Sequence, residues 1–401
     1  MILIPNKQDC TGCYACSSVC PVTAITMEAD SEGFCYPVVD HNKCTRCAMC
    51  IAVCPIMETA TRGRLVQSMP QAYAAYCLDE QLRLQSSSGG LFSLLAETII
   101  NSGGVVFGAR FDDDFSVSHD YVENNEHLHK LRGSKYVQSR IGDMFKQVRG
   151  FLECDRSVMF TGTPCQISGL KRYLGREYDS LVCQDIICHG VPSPKVWQKY
   201  VTYRESCAAS GTQKIAFRRK DEGWKRYSVS FRFENDMEYV QDLHNDLYMR
   251  AFLKNICLRP SCHACHFKSI YRESDITLAD FWGIQHLVPT MDDDKGTSLV
   301  ILHTQKGREL LKRLSGKVKI RPVSVTKAVQ YNSAMTDSVK THLDREAFFL
   351  GLDDERLDVL IKRYCTDKVH IRFKRKLAYG ARCVLEKLGL LHKVQSMLLR
   401  R

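Results

Sequence analysis

Two runs of cysteine carry the first chemistry in this sequence. CTGCYACSSVCP opens at Cys10 and CTRCAMCIAVCP opens at Cys44, and each is a C-x2-C-x2-C-x3-C-P run. Three thiolates spaced two residues apart wrap one corner of a [4Fe–4S] cubane. The fourth, past a short helical turn, reaches the neighbouring cluster. The spacing therefore assigns Cys10, Cys13, Cys16 and Cys54 to one cluster and Cys44, Cys47, Cys50 and Cys20 to another. Pro21 and Pro55 turn the chain away after each fourth ligand. Disulfides are the first alternative. They need an oxidising compartment, and the opening MILIP is too short for a signal peptide. Zinc is the second, but zinc pairs of C-x2-C rarely come as two copies of four, each ended by proline.

Twelve of the 20 cysteines remain. Cys257, Cys262 and Cys265 form a C-x4-C-x2-C set around His263 and His266. Thiolates this dense in one loop want a metal. A third iron–sulfur cluster fits if Cys165 or Cys188 supplies the fourth ligand, since both sit at expected strand ends, where a parallel α/β sheet gathers its ligands. Zinc with one histidine and unbonded thiols are the alternatives. Cys35, Cys77, Cys154, Cys183, Cys207, Cys365 and Cys383 read as small buried hydrophobes.

Two turns are suited to an anion. SSSGGLF puts Ser88, Gly89 and Gly90 at a helix start, where backbone N–H groups and the helix dipole favour negative charge. FTGTPCQ sets Thr161, Thr163 and Cys165 at the carboxyl edge of a sheet, with Pro164 opening the next helix. RGSKYVQS offers Lys135 and Tyr136 to an anionic, planar group, and RRKDEGW combines cations with Trp224. A solvated loop accounts for either segment equally well. No G-x-G-x-x-G follows a strand, and no Walker A motif is present. His189, beside Cys188 at a strand end, is the candidate for proton delivery; a structural histidine bonding a loop carbonyl is the alternative.

The elements that must position these residues are those of an α/β protein. A two-cluster module occupies residues 1–60, and a linker runs to Pro70. Strands are expected at 72–77, 105–111, 115–122, 157–163 and 181–190, with helices at 91–100, 142–153, 164–174 and 192–206. Three β-rich pieces follow at 214–219, 227–234 and 237–243, then a helix from Asp246, strands at 275–283 and 298–304, and a helix at 306–316. The last eighty residues read as mostly helical. No run of 18 apolar residues occurs.

The chain has 401 residues and a net charge of +11. Nine basic residues between His370 and Arg401 face Glu386 alone, so this tail carries +8 and leaves +3 for the rest. A near-neutral body does not look like a nucleic-acid binder. The tail's apolar stripe, with Leu377, Ala381 and Leu388, reads as a helix docked on the body. A membrane surface or an acidic partner is the sharper alternative.

The N-terminal spacing is that of bacterial-type ferredoxins. Taken together and in order over roughly residues 70–320, SSGG, FTGTPCQ, CHGVPSP and CHACHFK…DITLADFWG resemble a known family. It is the beta subunit of coenzyme F420-reducing hydrogenase and its dehydrogenase relatives, which also includes a plant chlorophyll-intermediate reductase. The resemblance implies an α/β (α+β) flavoprotein core with an N-terminal ferredoxin domain and a helical C-terminal tail. Its divisions would be 1–60, 71–155, 156–320 and 321–401. It implies FAD at Ser88, Gly89, Gly90, Lys135, Tyr136 and Thr163. It also implies a core [4Fe–4S] cluster on Cys257, Cys262 and Cys265 with Cys165 or Cys188, in addition to the two in the ferredoxin domain. FMN in place of FAD stays open. The expected function is oxidoreduction: electrons from ferredoxin or another redox protein leave as hydride to the deazaflavin coenzyme F420 or an organic acceptor. The alternative is a non-catalytic subunit that feeds electrons to a partner enzyme. Twenty cysteines point to a reducing cytoplasm.

Overall fold

The computed structural model describes residues 1–57 and 69–367, with Leu377 and Gly380 beyond them. The expected linker before Met69, and the basic tail from His370 apart from those two residues, lie outside the described part.

The N-terminal module consists of α1 (Ala15–Val19), a hairpin of β1 (Ile25–Ala29) and β2 (Cys35–Val39), and α2 (Met49–Ala52). Ile25 pairs with Val39 and Ala29 with Cys35. The sequence repeat is repeated in the backbone. The residues on either side of the second cysteine in each run have positive φ: Gly12 and Tyr14 at 65° and 68°, Arg46 and Ala48 at 58° and 62°. Three of these four are not glycine, so the left-handed turns are imposed against intrinsic preference.

The core follows as β3 (Gln71–Cys77), α3 (Glu80–Gln85), α4 (Leu91–Ile100), β4 (Val105–Phe111), β5 (Val117–Val122), α5 (Met144–Glu153), β6 (Val158–Gly162), α6 (Pro164–Leu174), β7 (Leu181–Ile186) and α7 (Pro194–Ala208). Next come β8 (Thr212–Arg219), β9 (Ser228–Phe233), β10 (Glu238–Asp242), α8 (Leu247–Leu253), β11 (Ile276–Asp280), α9 (Ile284–Leu287), β12 (Ser298–Leu302), α10 (Gln305–Lys312) and β13 (Val318–Val323). Three helices close the described chain: α11 (Val325–Val329), α12 (Arg345–Leu350) and α13 (Leu357–Cys365).

Eight strands form one sheet in the order β13-β3-β12-β11-β7-β6-β4-β5. β4, β6, β7 and β11 are mutually parallel. β3 runs the same way, since it is antiparallel to β12, which is itself antiparallel to β11. β7 is buried over all but its last residue and β6 over Val158, Met159 and Phe160, the pattern of strands covered on both faces. One face packs Leu94, Leu95 and Leu310 from α4 and α10 against Val106, Met159 and Val300. On the other, Phe145 and Leu170 from α5 and α6 meet Phe107 and Phe160, and Tyr14 and Ala15 of the N-terminal module join them. A second, antiparallel sheet of β8–β10 shares an aromatic core with α7, α8 and α13, centred on Trp197, Tyr200, Phe231 and Tyr248.

The α/β core, the ferredoxin-like N-terminal region and the C-terminal helices are as expected. β13 is a strand where a helical tail is expected from residue 321. Its V-K-I-R-P-V alternation suits an edge strand, and Pro322 is tolerated there because an outer edge needs no donor. The expected division at 320/321 therefore falls inside β13, and that at 155/156 falls between two elements of the one large sheet. β7 stops at Ile186, so Cys188 and His189 stand on the loop beyond it. Among the described residues, no helix is long and apolar enough to cross a membrane.

Candidate functional site

The eight N-terminal cysteines gather into two groups of four. Cys10, Cys13, Cys16 and Cys54 line one small pocket, with Ile2, Ile4 and Met27. Cys20, Cys44, Cys47 and Cys50 line a second, with Val22, Ile25 and Val39. Each group takes three thiols from one run and the fourth from the other. Backbone N–H groups already point at sulfur: Ile2 donates to Cys50 Sγ and Ala24 to Cys20 Sγ, both at 3.2 Å. The Met49 N–H lowers the pKa of the exposed Cys47 thiol. Burial pushes Cys13 up to about 12 and raises Cys16 as well. Thiols that resist ionisation in isolation become ligands when a metal supplies the positive charge.

The core thiols are arranged differently from the expected set. Cys165 stands in the first turn of α6, Cys188 on the loop after β7, and Cys262 and Cys265 on the loop after α8. Each of these four is partly covered. Burial pushes Cys165, Cys188 and Cys262 to about 12. They also raise one another: Cys188 and Cys265 act on Cys165, and Cys262 and Cys265 act on Cys188. Val191 N–H donates to Cys262 Sγ at 3.4 Å, and Thr163 Oγ1 lies 3.1 Å from Cys165 Sγ. Lys268 donates to the carbonyls of Cys188 and Ala334, and Cys265 N–H donates to Ser338 Oγ at 2.9 Å.

Cys257, expected as a ligand, stands in other surroundings: it is fully buried in the aromatic core with Leu258 and Cys365, and burial first, then Cys365, raises its thiol. The chain between Cys257 and Cys262 carries the loop away from this core. Cys165 and Cys188, expected as alternatives, come together with Cys262 and Cys265 as a quartet. Among the described residues, no group of three or more His, Cys, Asp or Glu side chains converges enough to hold one metal ion. A zinc ion would need such a group. Cluster thiolates cap different irons at separate corners and do not.

The core quartet lies against the first N-terminal group. Cys165 also feels Cys13. One turn further along α6, a Cβ on Gly169 would stand 3.0 Å from Cys13 Sγ.

The residues expected to meet a flavin collect at the carboxyl ends of the parallel strands. Ser134 donates to Ser87 Oγ through both its N–H and its hydroxyl, at 2.8 and 2.9 Å, which joins the SSSGG loop to the RGSKY loop. Lys135 Nζ donates to the carbonyls of Lys130 and Arg132, each at 3.0 Å. Desolvation lowers the Lys135 pKa to about 7. Nearby His119 donates to Thr161 O through Nε2 at 2.9 Å, while its Nδ1 is buried without a partner. An ammonium bonded only to carbonyls and an orphaned imidazole nitrogen fit an anionic group with polar edges.

Other members of that set are engaged by the protein itself. Tyr136 stacks on Phe252 at 4.9 Å and accepts a hydrogen bond from Arg218, which pairs with Asp280. The Gly89 N–H donates to Ser298 Oγ, and a Cβ there would stand 2.6 Å from Ala75 O. Gly90 takes φ +84° as the N-cap of α4. Ser88 donates to Thr297 O, and Thr163 forms a capping box with Gln166. His189 Nε2 lies 2.7 Å from Asn255 Oδ1, and desolvation lowers the His189 pKa.

Comparison with known families adds to this geometry. Residues 9–57 match the model of a 4Fe-4S dicluster domain. Residues 155–326 match that of the C terminus of the coenzyme F420 hydrogenase/dehydrogenase beta subunit. The chain is thus similar to a 4Fe-4S dicluster domain at its N-terminus and, over less than half of its length, to the C terminus of that beta subunit. No curated protein matches it. Among solved structures it is similar to a chain of the F420-reducing [NiFe] hydrogenase complex from Methanosarcina barkeri, at 16% identity and a TM-score of 0.44. The match covers 65% of this chain and 89% of that one. A likeness of that degree carries no functional argument.

Two residues at this site escape sequence reasoning. Arg259 reads as one more surface cation within CLRPSC, yet it is fully buried. Gly169 reads as an ordinary weak point in a helix, yet it is where the N-terminal module makes its close approach.

Proposed function

We propose that this chain is a flavin-dependent iron–sulfur oxidoreductase of a reducing cytoplasm. It would take electrons from ferredoxin or another redox protein and deliver them as hydride to coenzyme F420 or an organic acceptor. Cys10, Cys13, Cys16 and Cys54 would hold one [4Fe–4S] cluster, Cys20, Cys44, Cys47 and Cys50 a second, and Cys165, Cys188, Cys262 and Cys265 a third. Lys135, with the Ser88–Gly90 turn and Thr163, would hold FAD by its anionic part. Clusters exchange single electrons, whereas a flavin exchanges one or two, the latter as hydride.

The observation that carries this reading is the contact between the N-terminal cysteines and the core quartet through Cys13 and Gly169. Cys165, one turn before Gly169 on α6, is within electrostatic reach of Cys13, which supports passage of electrons from the N-terminal thiols to the core set. Of the twelve proposed cluster ligands Cys47 alone is exposed, so a protein donor would meet the chain there. His189, held by Asn255, is a candidate for proton delivery near Cys188.

A second reading is a relay subunit that passes electrons to a partner enzyme. It is favoured by Tyr136 and Gly89, whose contacts are already satisfied by the protein. Anaerobic purification, iron and sulfide counting and release of the flavin separate the two. About twelve irons with one FAD support the enzyme. Iron without flavin, together with failure of the reduced chain to reduce any free hydride acceptor, supports the relay.

A further inference from the structure

Arg259 stands between the two thiol sets. Its side chain is 0% exposed. Nε donates to Cys10 O at 2.8 Å and Nη1 to Gln138 Oε1 at 2.9 Å. Nη2 donates to Cys35 O at 3.0 Å and lies 3.6 Å from Cys10 Sγ. The guanidinium also lies 4.3 Å from the centre of the Tyr36 ring and 5.4 Å from that of Phe34. No carboxylate is among these partners. A guanidinium is charged at every accessible pH. A buried charge without a counter-charge is strongly unfavourable. Cys10 Sγ is the group here that becomes part of an anion on binding iron, because four thiolates leave a cubane net negative.

The backbone of Arg259 is tied to the other set. Its N–H donates to Val191 O, and its carbonyl accepts from Cys262 N–H, both at 3.0 Å. Gln138 completes the junction by donating to Thr11 O at 3.1 Å. The side chain thus grips the first cysteine of the N-terminal group, while its main chain sets the turn that presents Cys262.

We propose that Arg259 is a positioning residue for electron transfer into the core: it is the buried counter-charge of the cluster on Cys10, Cys13, Cys16 and Cys54, and it raises that cluster's reduction potential. A nearby fixed positive charge stabilises the more negative, reduced state. The pocket of Cys20, Cys44, Cys47 and Cys50 is lined by Arg46, which is exposed and screened by water, so the buried Arg259 biases electrons inward.

The inference rests on the proposed cluster ligands, and the test keeps the two apart. Full-length protein is purified anaerobically as wild type, Arg259→Lys and Arg259→Gln. Iron and sulfide are counted, and each sample is titrated against potential by electron paramagnetic resonance. At equal iron, Arg259→Gln should shift one centre to more negative potential and leave the others in place. Arg259→Lys, which keeps the charge but not the fork, should recover most of that shift. The inference is overturned if Arg259→Gln with full iron titrates as wild type, or if both variants lose iron alike. A wild-type chain without iron would instead overturn the ligand assignment beneath it.

Discussion

Cys13 Sγ lies 3.0 Å from the position a Cβ would occupy on Gly169, and Cys13 Cβ lies equally near. The N-terminal module and α6 are thus in contact at the one helix position without a side chain. Two effects oppose each other in Gly169→Ala. Alanine in a helix interior gains about 1 kcal/mol over glycine. Overpacking a close contact costs about 1–3 kcal/mol. The contact should win by about 1 kcal/mol, seen in chemical denaturation, and Gly169→Leu should also lower the iron content. An alanine variant stabilised by its full helix propensity would show that the junction is loose.

Lys135 gives a pH dependence whose sign can be worked out. Burial holds its pKa near 7, well below the usual lysine value of 10.5. Between those limits the unfolded chain binds the proton that the folded chain lacks, so the stability of flavin-free protein should rise with pH through this window. An anion bound at Lys135 raises the folded pKa again. Binding then takes up a proton, and flavin affinity should fall as pH rises above about 7. His119, the neighbouring ring, is held near 4 by burial and stays neutral throughout. Lys135→Met should flatten the dependence, measured as flavin fluorescence on titration at pH 7 to 9. An unchanged slope would remove Lys135 from the flavin site.

Much of this is legible in the sequence, and the exceptions have physical causes. The cysteine runs are readable because cluster ligation fixes spacing along the chain; the same constraint produces the matched left-handed turns at Tyr14 and Ala48. α6 starts at Pro164 as expected, because Pro164 and the Thr163–Gln166 capping box act locally. The burial of Cys257 in the aromatic core is not legible from its nearness in sequence to Cys262, because spacing along the chain does not register which core a side chain enters. β13 escapes because six alternating residues at an edge give a weaker signal than the helices around it. Arg259 cannot be found from composition. What makes it unusual is burial without a counter-charge, which is a property of the packed chain.

The hairpin turn between β1 and β2 is a further point of docking, and it predicts a separable defect. Gly33 has φ +87°, and a Cβ there would stand 2.4 Å from Lys195 Cβ. Around it, Arg345 pairs with both oxygens of Glu32, Ser193 donates to Glu32 O, and Lys195 donates to Ser31 O at 2.8 Å. Gly33→Ala adds left-handed strain of about 1–2 kcal/mol to a clash that only separation relieves. Hydrogen exchange should quicken in both the hairpin and the start of α7. Iron bound to the N-terminal cysteines should stay, since all eight lie outside the turn. Loss of iron together with the contact would mean the module does not hold its clusters independently of the core.

The core quartet makes the most direct prediction, because one cysteine serves as the control for four others. Cys165→Ser, Cys188→Ser, Cys262→Ser and Cys265→Ser should each lower the iron count by about four, with the other irons retained. Cys257→Ser should keep all its iron. Its cost lies elsewhere: a hydroxyl replaces a thiol in the apolar core beside Leu258 and Cys365, where an unpaired polar group costs about 1–3 kcal/mol. The two outcomes are read by different measurements, iron counting and thermal unfolding, so a folding defect cannot pass for a ligand defect. If Cys257→Ser loses four irons while Cys188→Ser keeps them, the ligand set is the contiguous one, with Cys165 as the fourth. The loop after α8 would then have to refold around the metal, drawing Cys257 out of the aromatic core.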